Sequence, residues 1–266
     1  MSLRLRISLL VAATALVAAG AVVGVTLATR QTPVQPQAQK GKPPLGRDLP
    51  TPAAARIRTA FDSWPKGGVT TMEELGREYP RDPVVQLYRG LALLWAGYAG
   101  DAEVVLQKAK KLGRDTTWEV QADSLLHPQF SAGYPIFEPL RRDPLLDRGF
   151  RLQAAGHQHS ALRVYERAAR KAPNDDATQV AAAVARFDKD NLTPAFSHLG
   201  PLTQRFPRSQ IVRFYLGLLL AWTGERDAAC VQFGKTVALG RSTQLGRQAT
   251  TFVTRACKGG TRTPKK

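Results

Sequence analysis

Apolar residues along this chain recur at helical spacing. Ala54, Ile57 and Phe61 share one helical face, and Met72 and Leu75 share another. The most regular pattern comes twice. Residues 80–114, PRDPVVQLYRGLALLWAGYAGDAEVVLQKAKKLGR, align without a gap on residues 207–241, PRSQIVRFYLGLLLAWTGERDAACVQFGKTVALGR, at a shift of 127. Tyr88 falls on Tyr215, Gly90 on Gly217, Trp95 on Trp222 and Gly97 on Gly224. Leu112-Gly113-Arg114 falls on Leu239-Gly240-Arg241. Each stretch predicts two antiparallel helices joined by a tight turn. The match runs on more weakly, Ala53–Pro80 onto Val180–Pro207 and residues 115–126 onto 242–253, so an internal duplication is expected.

Each position has a physical use. Gly217 lets two helices approach, and Gly224 ends the first helix in a conformation that other residues adopt at a cost. Ala229 is a second point of close contact, and Phe233 fills the space between the helices. A 34-residue register beginning at Arg142 places Gly149, Gly156, Ala161, Tyr165, Ala168 and Pro173 at successive key positions. The next unit, from Asp176, keeps Ala183, Ala195 and Pro207 but has Asp190 at the turn and Leu202 where a small residue is expected. The unit from Gln210 keeps Gly217, Gly224, Ala229 and Phe233, with Thr236 in place of Ala. Outside that register, a unit from Pro83 has Gly90, Gly97, Ala102, Leu106 and Ala109, and a degenerate one begins near Leu49.

This pattern resembles the tetratricopeptide repeat over roughly residues 50 to 257. The resemblance implies an all-α fold, a right-handed superhelical solenoid of helix-turn-helix units. It also implies a concave groove lined by the first helix of each unit. Its residues would be Leu87, Leu91, Trp95, Phe150, Phe214, Leu218 and Trp222, with Arg213 and Arg89 reading acidic groups of a bound peptide or helix. The competing reading places many of these side chains, both tryptophans above all, in the core between units.

The chain divides accordingly. Residues 1–6 are a short basic N-terminus, and 7–28 contain no charge. Those 22 residues span ~33 Å as a helix, enough for a bilayer core. An uncleaved single-pass anchor is expected, with a cleaved leader at Ala19-Gly20-Ala21 as the alternative. A basic N-terminus ahead of the span favours an extracytoplasmic repeat domain. Residues 29–52 form a Pro/Gln-rich tether. Residues 53–126 carry the first helical pairs and a lone helix, and 127–141 an irregular stretch with Phe130, Tyr134 and Phe137 among prolines. That stretch is either a plug between the two sub-arrays or a partner-binding loop. Residues 142–257 hold three units and a capping helix, and 258–266 a basic tail.

Composition adds a sign. There are 38 Lys and Arg against 21 Asp and Glu, and residues 51 onward keep an excess of +12. Such a surface attracts anions. Cys230 and Cys257 lie on the last unit and on the helix that caps it, so a disulfide is sensible outside the cytoplasm, with two buried thiols as the alternative. His157-Gln158-His159 is expected in an exposed turn and no metal site is expected, because no Cys, Asp or Glu cluster of metal spacing accompanies it. Gly234-Lys235-Thr236 lacks the glycine-rich loop of a phosphate site. No nucleophile motif stands out, and no cofactor is expected. The expected function is therefore a non-enzymatic, membrane-anchored scaffold that binds a protein or peptide at the cell envelope. The other class is a module that takes anionic lipid, wall polymer or, least expected, nucleic acid through its basic surface.

Overall fold

The computed structural model describes residues 41–257, all helix and connection, with no strand among them. The apolar stretch 7–28, the first half of the tether and the basic tail lie outside the described residues. Among the described residues no helix is long and apolar enough to cross a membrane.

Twelve α-helices are described. The first five are α1 (Ala54–Asp62), α2 (Gly68–Glu78), α3 (Pro83–Trp95), α4 (Ala99–Leu112) and α5 (Thr117–Leu126). After an irregular stretch come α6 (Pro144–Ala154), α7 (Gln158–Lys171), α8 (Asp176–Val184), α9 (Thr193–Arg205), α10 (Gln210–Trp222), α11 (Arg226–Leu239) and α12 (Gln244–Phe252). A π-helical turn, Val253–Cys257, closes the described chain. The shift of 127 carries α3 onto α10 and α4 onto α11 residue for residue, and α5 onto α12 to within one residue. The first half is thus α1–α5 and its duplicate is α8–α12. The hairpin α6–α7 is the extra element.

Local chemistry sets the helix starts. The Asp82 carboxylate accepts from the amides of Val84 and Val85, with Pro83 in the first turn, and Asp143 does the same for Leu145 and Leu146 ahead of Pro144. Asp175, Ser209 and Thr243 cap α8, α10 and α12. Each cap is worth about 1 kcal/mol. The hairpin turns are set by Gly97, Gly156 and Gly224, at φ of 88°, 83° and 84°. The α8–α9 link, with Asp190 and no glycine at that place, is instead a longer connection, residues 185–192. Close approach explains the other glycine of each unit. A Cβ at Gly90 would meet Leu106 at 2.6 Å, and one at Gly149 would enter the Tyr165 ring.

Each helix packs on the next within α1–α5 and within α6–α12, and α3 also touches α5, as α10 touches α12. One core gathers Ile57, Phe61, Met72, Leu75, Val85 and Tyr88. A larger one gathers Phe137, Leu146, Tyr165, Val184, Leu199, Val212 and Tyr215. At the far end Phe233 and Ala249 join α11 to α12. Cys230 and Cys257 form a disulfide, Cα to Cα 5.8 Å, that ties the π turn back onto α11.

Two extended segments complete the fold, and a second shift, of 92 residues, relates them. Gly41-Lys42-Pro43-Pro44-Leu45-Gly46 matches Gly133-Tyr134-Pro135-Ile136-Phe137-Glu138. Both glycines have positive φ, 89° and 81°. Both central prolines are buried and the residue after each is exposed. We term these segments arms. Gly46 donates its N–H to the Tyr88 hydroxyl at 3.0 Å, and Glu138 donates its own to the Tyr215 hydroxyl at 2.7 Å. The irregular stretch therefore plugs the second half: Phe137 stacks on Tyr215 at 5.0 Å between centroids and meets Tyr165 edge-on at 5.7 Å.

Candidate functional site

An apolar groove of about 740 Å³ opens in the first half. Its floor is α3, through Leu87 and Leu91, and one wall is α5, through Val120 and Leu125. The first arm, Pro44–Gly46, forms the other side, and Ala132 and Gly133 close one end. The duplicate half shows why this groove exists. Leu87, Leu106 and Leu125 correspond to Phe214, Phe233 and Phe252 at the shift of 127. The three phenylalanines pack as a chain, Phe214 to Phe233 at 5.6 Å and Phe233 to Phe252 at 4.3 Å. Leucines in the same places leave space that the rings would take.

Each of the groove's two hydroxyls receives an amide from an arm. The Tyr88 hydroxyl receives the Gly46 amide. The Ser124 hydroxyl donates to the Val120 carbonyl at 2.7 Å and accepts from the Gly133 amide at 2.9 Å. The exposed Gln121 side chain, the Tyr88 O–H as a donor and the Leu45 amide have no partner among the described hydrogen bonds.

The structure brings some of the expected groove residues together and separates others. Leu87 and Leu91 line the groove. Trp95, one turn further along α3, packs against the first core with its indole N–H buried and unpaired. Phe214 meets Tyr215 and Phe233 edge-on, and Leu218 packs beside it against the same cores. Trp222 meets Phe187 edge-on at 6.3 Å and accepts from the Ser131 amide through its carbonyl. Phe150 is half-buried on α6. Arg213 spends its guanidinium inside the fold, on the Thr203 carbonyl at 3.2 Å and on Gln232. Arg89 is held by both Glu73 oxygens, at 2.9 and 2.8 Å.

A second constellation lies at the seam between the halves. Asp123 on α5 is fully buried, and Lys189, in the α8–α9 link, has a side chain of 0% exposure with Nζ 3.7 Å from Asp123 Oδ2. Lys110 bridges Asp123 at 2.6 Å and Asp190 at 2.5 Å, and His127 also lies between these two carboxylates, at 3.2 and 3.0 Å. Burial pushes the Lys189 ammonium below its ordinary range, and Asp123 only partly offsets this. Burial also works against Lys110, but its hydrogen bonds to Asp123 and Asp190 outweigh it and raise that group. Burial works to raise Asp190, and Lys110 and His127 more than reverse it. The Tyr134 hydroxyl is pushed up, first by burial and then by Asp123.

Away from the His157 turn, Asp123, His127 and Asp190 offer ligand atoms within 4.8 Å of one another. Sequence spacing hid this grouping because Asp190 comes from a distant element. The cluster's cation position is taken by the Lys110 ammonium, with Lys189 behind it, so a divalent ion would have to displace a lysine. The expectation of an exposed histidine turn is corrected. The turn is half-buried, with His157 Nδ1 2.6 Å from the Asp115 carbonyl, His159 Nε2 2.9 Å from Glu119, and the Ser160 amide donating to Asp115 at 3.0 Å. Asp115, at φ 60°, is held below the ordinary carboxylate range, because the Ser160 hydroxyl and amide outweigh the effect of burial.

Compared with known proteins, the chain matches no family model, no curated protein and no solved structure.

Proposed function

We propose that this chain is a non-enzymatic scaffold of tetratricopeptide-like hairpins, a right-handed solenoid anchored in the membrane by residues 7–28. Its helical domain stands outside the cytoplasm and holds a segment of another protein. The observation that carries this reading is the apolar groove over Leu87, Leu91, Val120 and Leu125, open in one half while phenylalanines fill the same place in the other. An apolar concavity between helices is where such folds bury partner side chains. The Cys230–Cys257 disulfide supports the extracytoplasmic placement, since such bonds persist in oxidising compartments. The repeated glycines at hairpin turns and crossings support the family resemblance.

The test is site-specific crosslinking in the native membrane. A photoreactive side chain at Val120, in the groove, should give a discrete protein adduct, and the same group at Val231, exposed on α11, should not. No adduct at Val120, or equal adducts at both positions, overturns the reading.

A further inference from the structure

We infer that the outer side of α11 and α12, with the basic tail that follows them, is a second contact surface, and that it takes the anionic face of a lipid bilayer. The shift of 127 shows how this end of the chain has diverged. In the first half α4, α5 and the turn between them carry five carboxylates, Asp101, Glu103, Asp115, Glu119 and Asp123. The duplicate has Ala228, Cys230, Ser242, Gly246 and Thr250 in those places. Lys108 and Arg114 meanwhile persist as Lys235 and Arg241. Residues 228–266 thus contain eight Lys or Arg and no Asp or Glu. Lys235, Arg241, Arg247 and Arg255 are exposed. None of the four is held by a carboxylate among the described ion pairs. They sit on one packed unit, because Phe233 and Ala249 join α11 to α12 and the Cys230–Cys257 disulfide ties the π turn to α11. A surface of one sign with no counter-charge of its own attracts an extended anion.

Apolar side chains choose among such anions. Val231 is 55% exposed and Leu239 41%, one helical turn before and one after Lys235. A nucleic acid duplex or a charged wall polymer meets the lysine and leaves the valine and leucine in water. A bilayer meets all three: the apolar side chains enter the acyl boundary while the lysine stem lies along it and the ammonium stays among the headgroups. Each Lys or Arg at such a surface strengthens binding about five-fold. Reach rests on the anchored reading above. Residues 29–40 separate the apolar stretch from the described chain and extend to ~43 Å at most, so a bilayer is always close to the domain.

The experiment uses the full-length chain in nanodiscs of phosphatidylcholine, with or without phosphatidylglycerol. A photoreactive side chain stands at Val231 or at its counterpart in the first half, Val104, and lipid adducts are read by mass spectrometry. The expected result is a lipid adduct at Val231 at least about five-fold more abundant in the anionic discs, and falling as salt is raised. Val104, exposed on α4 beside Asp101 and Glu103, should give less. Lys235→Glu/Arg241→Glu should lower the Val231 adduct by at least about five-fold at an unaltered melting temperature. Lys108→Glu/Arg114→Glu should leave it unchanged. Should the first pair melt early, Arg255→Glu gives a second reading. Equal yield in the two lipids, equal yield at Val104, or no effect of the reversed charges overturns the inference. Binding of heparin through Lys235 and Arg241 with no lipid adduct at Val231 overturns it in favour of a polymer. If the chain does not enter the discs, the anchored reading falls, and flotation with vesicles of the same two compositions decides. Flotation with the anionic vesicles alone upholds the inference, and flotation with neither sinks it. A protein adduct at Val120 with no lipid adduct at Val231 sinks this inference and leaves the scaffold reading standing, and the reverse result sinks the scaffold alone.

Discussion

Lys189 and Asp123 face each other at 3.7 Å in a place that water does not reach from either side. One comes from the first half and the other from its duplicate, so the pair helps to hold the halves together. Removing one partner strands the other charge in a low dielectric. Asp123→Asn should therefore destabilise the fold by about 3 kcal/mol, measured by urea unfolding. Asp123→Asn/Lys189→Met should recover a large part of that loss, since no unpaired charge then remains buried. A double variant as unstable as the single one would show that the loss comes from packing and not from charge.

Acid should loosen the contacts of the first half with both α7 and the α8–α9 link. Asp115 and Asp190 both sit below the ordinary carboxylate value of 3.8 in the folded chain. The unfolded chain then binds more protons than the folded one between the two values. Their contribution is present above about pH 4 and is lost as pH falls through the folded values. Asp115→Asn should flatten the acid limb of a stability–pH curve. An unchanged slope below about pH 4 would count against it.

The two glycine roles should separate on substitution. Gly149→Ala drives a methyl into the Tyr165 ring, which is fully buried and cannot swing away. A loss of roughly 2–3 kcal/mol is expected from overpacking. Gly224→Ala meets no atom within 4 Å but sits at φ 84°. Only the backbone term applies there, about 1 kcal/mol. Thermal denaturation of the two variants checks the order, and a larger loss at Gly224 would reverse the assignment.

The tyrosine anchors should also differ. Tyr215→Phe removes the acceptor for Glu138 beneath the stacked Phe137 ring, so a loss of about 1–2 kcal/mol is expected. Tyr88→Phe leaves the Gly46 amide on an exposed residue where water can replace the hydroxyl, and should cost less. Equal losses would mean the second arm is no more enclosed than the first.

Opening the disulfide should act locally. It closes a loop across 27 positions, and by chain entropy such a closure is worth about 3 kcal/mol. Cys230→Ala/Cys257→Ala should lower the unfolding midpoint, and amide exchange should quicken first in the π turn and α12. Faster exchange in α3 or α4 instead would mean that the tie acts on the whole array.

Much of the helical frame was legible in the residues. Gly90, Gly97, Gly217 and Gly224 mark the crossings and turns of α3–α4 and α10–α11, because a crossing needs absence of a side chain and a turn needs positive φ. The departure at Asp190 was legible as well, and it became the longer α8–α9 link. The seam was not. Nothing in the neighbourhood of Asp123 announces Lys189, since a buried ion pair leaves no periodic trace when its members lie on separate elements. The same holds for His159 and Glu119. The eight expected groove residues divide for a related reason. Position in a unit says which face of a helix a side chain takes, and the chain's own arm on the second half decides what covers that face.

The arms also have a timetable. During synthesis Gly46 leaves the ribosome 42 residues ahead of the Tyr88 that receives its amide, and Glu138 leaves 77 ahead of Tyr215. Contacts of longer span form later and expose their partners for longer. The first half can close on its arm while the second arm is still waiting for its tyrosine. During that wait Phe137 and Tyr134 are free to meet whatever apolar surface is already made, and the unfilled groove of the half before them, which Gly133 lines, is one such surface.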